Sequence, residues 1–435
     1  MTSTNKLPQE NVIVIGLGYV GLTFALHLSN LGKRVYGIDK NPLLCADLKE
    51  GKSEITENGL KEMLAEAIQK KTFLINEKNI NLNKGNVYIV TVGTPLESNN
   101  SSSNQIDEVK NFLIEAIRDQ DLIILRSTVK IGTTVRLYED LSIATGKVFY
   151  MAMCPERTIE GNAIDELRNL PQIISGVDSR SLKKVDEFFK TIGTETVHVE
   201  NTNSAEFIKL ISNTYRDLNF AFANEIAIIG SAYGINVWDA INSANYKYPR
   251  NDIKLPGLTG GPCLEKDPKI LASSAKEKGL NAELSLTGRK VNLSLPRVSM
   301  DKILNHNSFL AIPRDKYLIL GLAFKGKPAN KDTRGSLAFL IADVIRDKFP
   351  FATIVAWDPL ISHDPNISLS QNLILDLSDA DVIFLQNNNL ELVKQFKAYG
   401  KKVIKHHAIV LDFWNLLDPS DLPNHAHLIR FGNGS

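Results

Sequence analysis

The residues most suited to chemistry lie at 258–268, LTGGPCLEKDP. Two glycines and a proline precede Cys263 and place its backbone in a constrained turn. Asp267-Pro268 reads as a helix N-cap followed by proline at the first helical position. A helix end and Lys266 nearby would both favour the thiolate of Cys263, a nucleophile. Local sequence leaves two readings open: a reactive thiol, or an inert packing cysteine beside an Asp267 that only caps a helix. A second pair, Lys209 and Asn213, stands four residues apart in a run of helical spacing, so the two share a face. A cation beside an amide donor would stabilise charge developing on an oxygen. Two solvated residues on an amphipathic helix would look the same.

A third constellation concerns phosphate. Gly16-Leu17-Gly18-Tyr19-Val20-Gly21 follows the apolar run 11–15 (NVIVI) and opens a helix. Asp39 ends the next strand-like run, 18 residues after Gly21. Such glycines permit a tight turn, close approach of a pyrophosphate and close packing of helix on strand, with the helix N-terminus facing the negative charge. Asp39 would accept hydrogen bonds from the adenine-ribose hydroxyls and repel a 2′-phosphate, which favours NAD over NADP. Packing alone would explain a lone glycine motif, but here strand, turn, helix and acid stand in register.

The elements that must position these groups alternate. Strands are expected at 11–15, 34–38, 87–92, 122–125, 147–150 and 172–175, with helical segments between most of them, the first at 22–31. That alternation implies parallel βαβ units. The stretch 97–104 (ESNNSSSN) reads as a surface loop. Residues 204–234 carry apolar positions at helical spacing and no proline, so one or two long helices are expected there. Strand-like blocks return at 317–320, 353–356, 382–385, 403–404 and 409–411, and a smaller α/β domain starts near 310. No internal repeat is evident.

Composition narrows the class. At roughly 100–200 residues per domain, 435 residues suggest two to four domains. Lys+Arg total 50 against Asp+Glu 49, and this balance offers no long-range attraction to nucleic acid or an anionic membrane. An anionic ligand must be held by local groups. The three cysteines, Cys45, Cys154 and Cys263, form neither a disulfide framework nor a metal pattern. Their sparseness fits a reducing compartment, and residues 1–10 are polar, without an apolar export segment. No run approaches the ~20 apolar residues that span a bilayer. A cytoplasmic protein is expected.

The chain resembles the UDP-glucose/GDP-mannose dehydrogenase superfamily over nearly its whole length, on seven blocks in the family's order. They are the glycine motif with Asp39; Val92-Gly93-Thr94-Pro95; Ser127-Thr128-Val129 with Gly132-Thr133; Pro155-Glu156-Arg157 with Glu160-Gly161; Ala205-Glu206 through Lys209 and Asn213 to Asn224-Glu225; Gly260-Gly261-Pro262-Cys263 with Lys266-Asp267; and Gly321-Leu322-Ala323-Phe324-Lys325 with Asp332-Thr333-Arg334. The resemblance implies an α/β fold of two Rossmann-like domains with parallel sheets, joined by a long-helix central domain. The expected domains are 1–200 for NAD, 201–300 for the helical, dimerising and catalytic part, and 301–435 for the UDP-sugar. A homodimer or larger assembly on the 204–234 helix is expected.

The resemblance also implies the chemistry. NAD-dependent oxidation of a sugar CH2OH to a carboxylate would proceed in two steps, with Cys263 forming a thiohemiacetal and then a thioester that water releases. Lys209 and Asn213 would stand at the reacting oxygen. Glu156 would serve as general base, directly or through water, Thr128 would position the water or the nicotinamide, and Asp267 would orient Cys263. Gly16, Gly18, Tyr19, Val20, Gly21, Asp39, Thr94 and Thr128 would hold the cofactor. Substrate contacts are implied at Glu156, Arg157, Lys209, Asn213, Gly260 and Lys325, and Arg250 and Arg334 suit phosphate or sugar.

Arg157, the segment 213–217 (NTYRD) and Tyr248-Pro249-Arg250 depart from the glucose-type pattern and lean towards UDP-N-acetylmannosamine or UDP-N-acetylglucosamine. Pro262 and the basic segment 325–332 depart from the acetamido-sugar pattern in turn. A hydroxyacid or 6-phosphogluconate-type dehydrogenase would need neither the cysteine nor a second α/β domain. A non-catalytic binding protein would be expected to have lost the cysteine, lysine or glutamate, and none is lost.

Overall fold

The protein, seen as a computed structural model, is described over residues 11–77, 85–94, 104–306 and 314–434. The polar residues 1–10, Pro95 and residues 97–103 of the expected loop lie outside the described residues, while Asn104 already begins the Asn104–Ala116 helix. Two compact units form. The first comprises Met1–Ser212 with Ser273–Leu280, the second Asn213–Ala272 with Asn281–Ser435.

The first unit is built on eight strands among the described residues: β1 (Val12–Ile15), β2 (Val35–Ile38), β3 (Phe73–Ile75), β4 (Val87–Val90), β5 (Leu122–Leu125), β6 (Tyr150–Met153), β7 (Gln172–Gly176) and β8 (Thr196–His198). Their order is β3-β2-β1-β4-β5-β6-β7-β8. Every pairing is parallel except β6 with β7. The central strands read VIVI, VYIV and LIIL and are wholly buried. Covered on both faces, such strands must be apolar at every position rather than at every second one. The chain reverses its direction of travel across the sheet between β1 and β4. In doubly wound sheets the crevice beyond the strand ends at such a switch point receives the ligand.

The second unit repeats the plan with β9 (Lys316–Leu320), β10 (Thr353–Trp357), β11 (Val382–Leu385), β12 (Ile409–Asp412) and β13 (His427–Arg430). All pairings are parallel, in the order β10-β9-β11-β12-β13. Its switch point lies between β9 and β11. The expected strand at 403–404 is absent: those residues close the Leu390–Val403 helix, whose apolar positions recur at helical spacing and bury Leu392 and Phe396. The strand expected at 147–150 lies three residues later, as β6.

A 31-residue helix, Thr202–Ala232, runs through the boundary at Ser212 and Asn213. No helix among the described residues is long and apolar enough to cross a membrane.

Candidate active site

At the carboxyl end of β1 the chain turns through Gly16, whose φ of 91° favours glycine. A side chain at Gly21 would fall on the Gly16 carbonyl oxygen and stand 2.6 Å from the Thr91 hydroxyl, so the helix packs on the turn with no room for a Cβ. Gly18 differs. It is exposed, and no described atom lies within 4 Å of where its Cβ would stand. The helix Tyr19–Asn30 that comes next has no side-chain cap. Open space before an uncapped helix end suits the pyrophosphate of a dinucleotide. Asp39 closes the turn. Its Oδ2 accepts from Leu17 N at 2.7 Å and its Oδ1 from Asn41 N at 2.8 Å. Tyr19 donates to Glu57, and Gly161 N–H donates to both at 2.9 Å. Thr94 Oγ1 donates to the Thr128 carbonyl at 2.5 Å, which ties the ends of β4 and β5 together.

Glu156 lies just beyond β6 and is buried. Its carboxylate accepts from Arg126, and from Arg157 N and Thr158 N at 2.8 Å each. Burial pushes its pKa up, but Arg126 and the Thr158 N–H outweigh burial and bring it to about 2. Lys209 reaches the same residue, donating from Nζ to the Glu156 carbonyl at 2.5 Å. Thus the first unit gathers an anionic carboxylate and a cation that are 53 residues apart in sequence.

In the second unit, helix Pro262–Lys276 begins with proline, and Cys263 is its second residue, exposed and unpaired. Asp267 is therefore not an N-cap, and Pro268 lies inside the helix. The helix survives because the carbonyl freed by the missing Pro268 N–H, that of Leu264, is approached by Arg289 Nη1 at 3.4 Å. One consequence is chemical. Cys263 and Asp267 now sit four apart on one helix and share a face. Asn213 Nδ2 donates to Asp267 Oδ2 at 2.5 Å, so cysteine, acid and amide converge. The preceding turn is equally tight. Gly261 N–H donates to the Gly335 carbonyl at 2.9 Å, a Cβ on Gly260 would meet that same carbonyl, and one on Gly261 would meet the Phe324 ring. The blocks 321–325 and 332–334 thus pack around the cysteine turn, since Phe324 N–H also bonds the Asp332 carbonyl at 2.9 Å.

Comparison with known proteins decides the family. Residues 10–193 match the NAD binding domain of the UDP-glucose/GDP-mannose dehydrogenase family, and residues 203–294 match its central domain. A UDP-N-acetyl-D-mannosamine dehydrogenase of Methanococcus aeolicus is 32% identical over 94% of this chain and 92% of its own. The chain belongs to the UDP-glucose/GDP-mannose dehydrogenase family. The UDP-D-ManNAc dehydrogenase structure from Pyrococcus horikoshii superposes with a TM-score of 0.86 at 29% identity, covering 98% of this chain and 99% of that one. The Staphylococcus aureus UDP-N-acetyl-mannosamine dehydrogenase superposes with a TM-score of 0.81 at 28% identity, covering 98% of each chain.

As a UDP-glucose/GDP-mannose dehydrogenase family member, the chain is an NAD-dependent nucleotide-sugar dehydrogenase, and the glycine turn is the part that fits its NAD. Among the other expected residues, Arg157 donates to the Pro171 carbonyl at 2.5 Å. Arg334 forks onto Asp332, with Nε–Oδ1 2.9 Å and Nη2–Oδ2 2.5 Å, and its side chain is largely exposed. Lys325 lies over the Phe324 ring and Arg250 over the Tyr248 ring. Gly260, Lys325 and Arg334 belong to segments packed on the cysteine turn, whereas Arg250 stacks on a residue of its own loop.

Sequence reasoning missed Arg126, which is fully buried and which holds Glu156; the signal was an arginine closing the apolar run of β5. It missed Arg289 and Asp217 as well, a buried pair at 2.8 Å. Glu206 turns out to be structural. Its buried carboxylate accepts from Gly132 N at 2.6 Å and Thr134 N at 2.8 Å and so caps the Thr133–Thr145 helix.

Proposed function

We propose that this protein oxidises the C6 hydroxymethyl group of UDP-N-acetylmannosamine to the carboxylate. Two NAD molecules each accept one hydride when bound. The observation that carries the reading is the convergence of Cys263, Asp267 and Asn213 on one helix face and one hydrogen bond. The names of the relatives and Arg157 in the 155–157 block support the acetamido sugar over UDP-glucose.

The alcohol first loses a hydride and a proton to become an aldehyde. The Cys263 sulfur adds to the aldehyde carbon, and the tethered thiohemiacetal is kept from escaping. Loss of a second hydride and a proton leaves a thioester, and water then frees the acid and the thiol. Asp267 orients the Cys263 turn through its place on the helix. Lys209 and Asn213 stabilise charge on the substrate oxygen as sulfur and then water adds. Glu156, ionised and held by Arg126, orients water through its carboxylate; a carboxylate brought to about 2 is a weak base, so proton removal by Glu156 requires the Arg126 contact to loosen. Asp39 meets the adenine ribose, and Arg250, Lys325 and Arg334 serve the anionic substrate.

The reading extends to assembly. Tyr215, Phe222 and Ile229 recur every seven residues along the long helix and are 64%, 52% and 53% exposed. A second copy covers this stripe, and the enzyme works in a reducing, cytoplasmic setting that suits its three unpaired cysteines. A panel of UDP-sugars followed by NADH absorbance tests the substrate. Turnover is highest with UDP-N-acetylmannosamine; higher kcat/KM with UDP-glucose would replace it. Light scattering tests the dimer, and a monomer at assay concentration would remove it.

A further inference from the structure

We infer that Arg289 is a positioning residue for the Cys263 thiol, acting by holding both flanks of the turn that carries it. The inference rests on the reading of Cys263 as nucleophile. Arg289 lies on the helix Glu283–Leu304 and is 3% exposed. Its Nη2 donates to the Thr259 carbonyl at 2.7 Å, four residues before the cysteine. Its Nη1 donates to Asp217 at 2.8 Å and approaches the Leu264 carbonyl, one residue after the cysteine, at 3.4 Å. The six residues from 259 to 264 are thus bracketed by one planar guanidinium.

The Leu264 carbonyl is available to Arg289 because Pro268 has no N–H to engage it. An interior proline would otherwise leave a buried acceptor unmet in the first turn of the Cys263 helix. The other side of the guanidinium is fixed too. Asn292, almost one turn further along the same helix, donates to the Asp217 carbonyl at 3.0 Å and to Asp217 Oδ1 at 2.8 Å. Asn224 donates to Asn292 Oδ1 at 2.8 Å and to the Gly257 carbonyl at 3.1 Å. A chain of buried polar groups therefore runs from Gly257 through Asn224, Asn292, Asp217 and Arg289 to both ends of the cysteine turn. Apolar packing would stabilise the fold as well as a buried ion pair does. What apolar residues would not supply is a donor fork that fixes two carbonyls at once.

Lysine keeps the charge opposite Asp217 but is a point donor and does not span both carbonyls. Arg289→Lys therefore separates fold from position. Four proteins are compared with NAD bound: wild type, Arg289→Lys, Arg289→Ala and Cys263→Ser. Measured are kcat and KM for NAD and UDP-N-acetylmannosamine, kcat for Arg289→Ala with millimolar guanidinium added, and the iodoacetamide alkylation rate of the thiol from neutral to alkaline pH. Cys45 and Cys154 are buried, so alkylation reports Cys263, with Cys263→Ser as the blank.

The expected result is a kcat lower by about 10²-fold in Arg289→Lys, the cost of a small misplacement of a reacting group, with KM for NAD unchanged. Its alkylation profile is altered, and guanidinium restores part of the Arg289→Ala rate. Wild-type kcat and alkylation in Arg289→Lys, with Cys263→Ser inactive, would overturn the inference and leave the nucleophile reading standing. Near-normal acid formation by Cys263→Ser would overturn both. Activity lost only in proportion to the folded fraction, with normal kcat per folded molecule, would also overturn it.

Discussion

The two sheets end their first strands in the same turn. After β1, Gly16 at φ 91° leads to Leu17, whose N–H meets Asp39 Oδ2 at 2.7 Å; after β9, Gly321 at φ 92° leads to Leu322, whose N–H meets Asp358 Oδ2 at 2.7 Å. The other carboxylate oxygen accepts from Asn41 N and from Leu360 N, each at 2.8 Å. Beyond the turn the two chains part. Gly18 opens straight into an uncapped helix, leaving its end for an anion. After Leu322 the chain runs on to Phe324, which packs on Gly261, and the next helix, Leu337–Lys348, waits until Ser336 caps it at Ala338 N. One device closes the sheet end in both units. The ligand each unit takes is decided by the residues after the device: a free helix end for a dinucleotide, a packed loop around the cysteine turn in the other.

The contrast between the units is tested most strongly at the long helix, which gives Lys209 to the first unit and Asn213 to the second. Lys209→Ala lowers kcat by about 10²–10³, or about 3–4 kcal/mol, as expected for a lost oxyanion donor. Asn213→Ala costs less, because a neutral amide makes a weaker bond than a cation does. Steady-state kinetics with UDP-N-acetylmannosamine measure both. A raised KM with unchanged kcat would assign Lys209 to ground-state binding instead.

The buried acids of the two units respond to pH in opposite senses. Glu156 is held at about 2 in the fold, while an unfolded glutamate titrates near about 4.3. Its stabilisation is complete above about pH 4.3 and disappears as pH falls towards 2, on the order of 3 kcal/mol. Asp217 is raised by burial against the pull of Arg289 and Asn292, so its contribution is present at low pH and is lost as pH rises through the carboxylate range. Denaturant unfolding across that range, for wild type, Glu156→Gln and Asp217→Asn, separates them. Parallel slopes in the two variants would contradict this account.

At the glycine turn, Gly21→Ala forces a Cβ onto the Gly16 carbonyl and costs about 1–3 kcal/mol, with NAD binding lost. Gly18→Ala meets open space, leaves stability within about 0.5 kcal/mol and still weakens NAD binding. Calorimetric NAD titration beside thermal unfolding distinguishes fold from ligand at positions three residues apart. The smallest contrast is Asp39→Asn against Asp358→Asn. The first relaxes discrimination against NADP; the second, in the matching turn, leaves cofactor preference unchanged. A shift of preference in Asp358→Asn would break the distinction between the turns.

These elements were not equally legible in the sequence. The Gly16–Asp39 turn was plain because a complete glycine motif accompanies it. Its twin at Gly321 and Asp358 was not seen as a repeat, because only glycine, leucine and a distant acid are shared and the loops beyond the turns diverge. Asp267-Pro268 suggested a helix start, since proline is disfavoured inside helices; a contact from Arg289, 25 residues from Leu264, reversed that local preference. The short edge strands β3 and β8, three residues each, carry too little pattern to read. The pairing of Glu156 with both Arg126 and Lys209 depends on strand order, which no local spacing reports.

The most direct test is the yield of NADH per UDP-N-acetylmannosamine consumed, measured together with acid formation in wild type and Cys263→Ser. The account predicts two NADH per sugar in wild type and no appreciable acid from Cys263→Ser, since a hydroxyl does not replace the thiolate as a nucleophile. One NADH per sugar in wild type, or near-normal acid formation by Cys263→Ser, would contradict it.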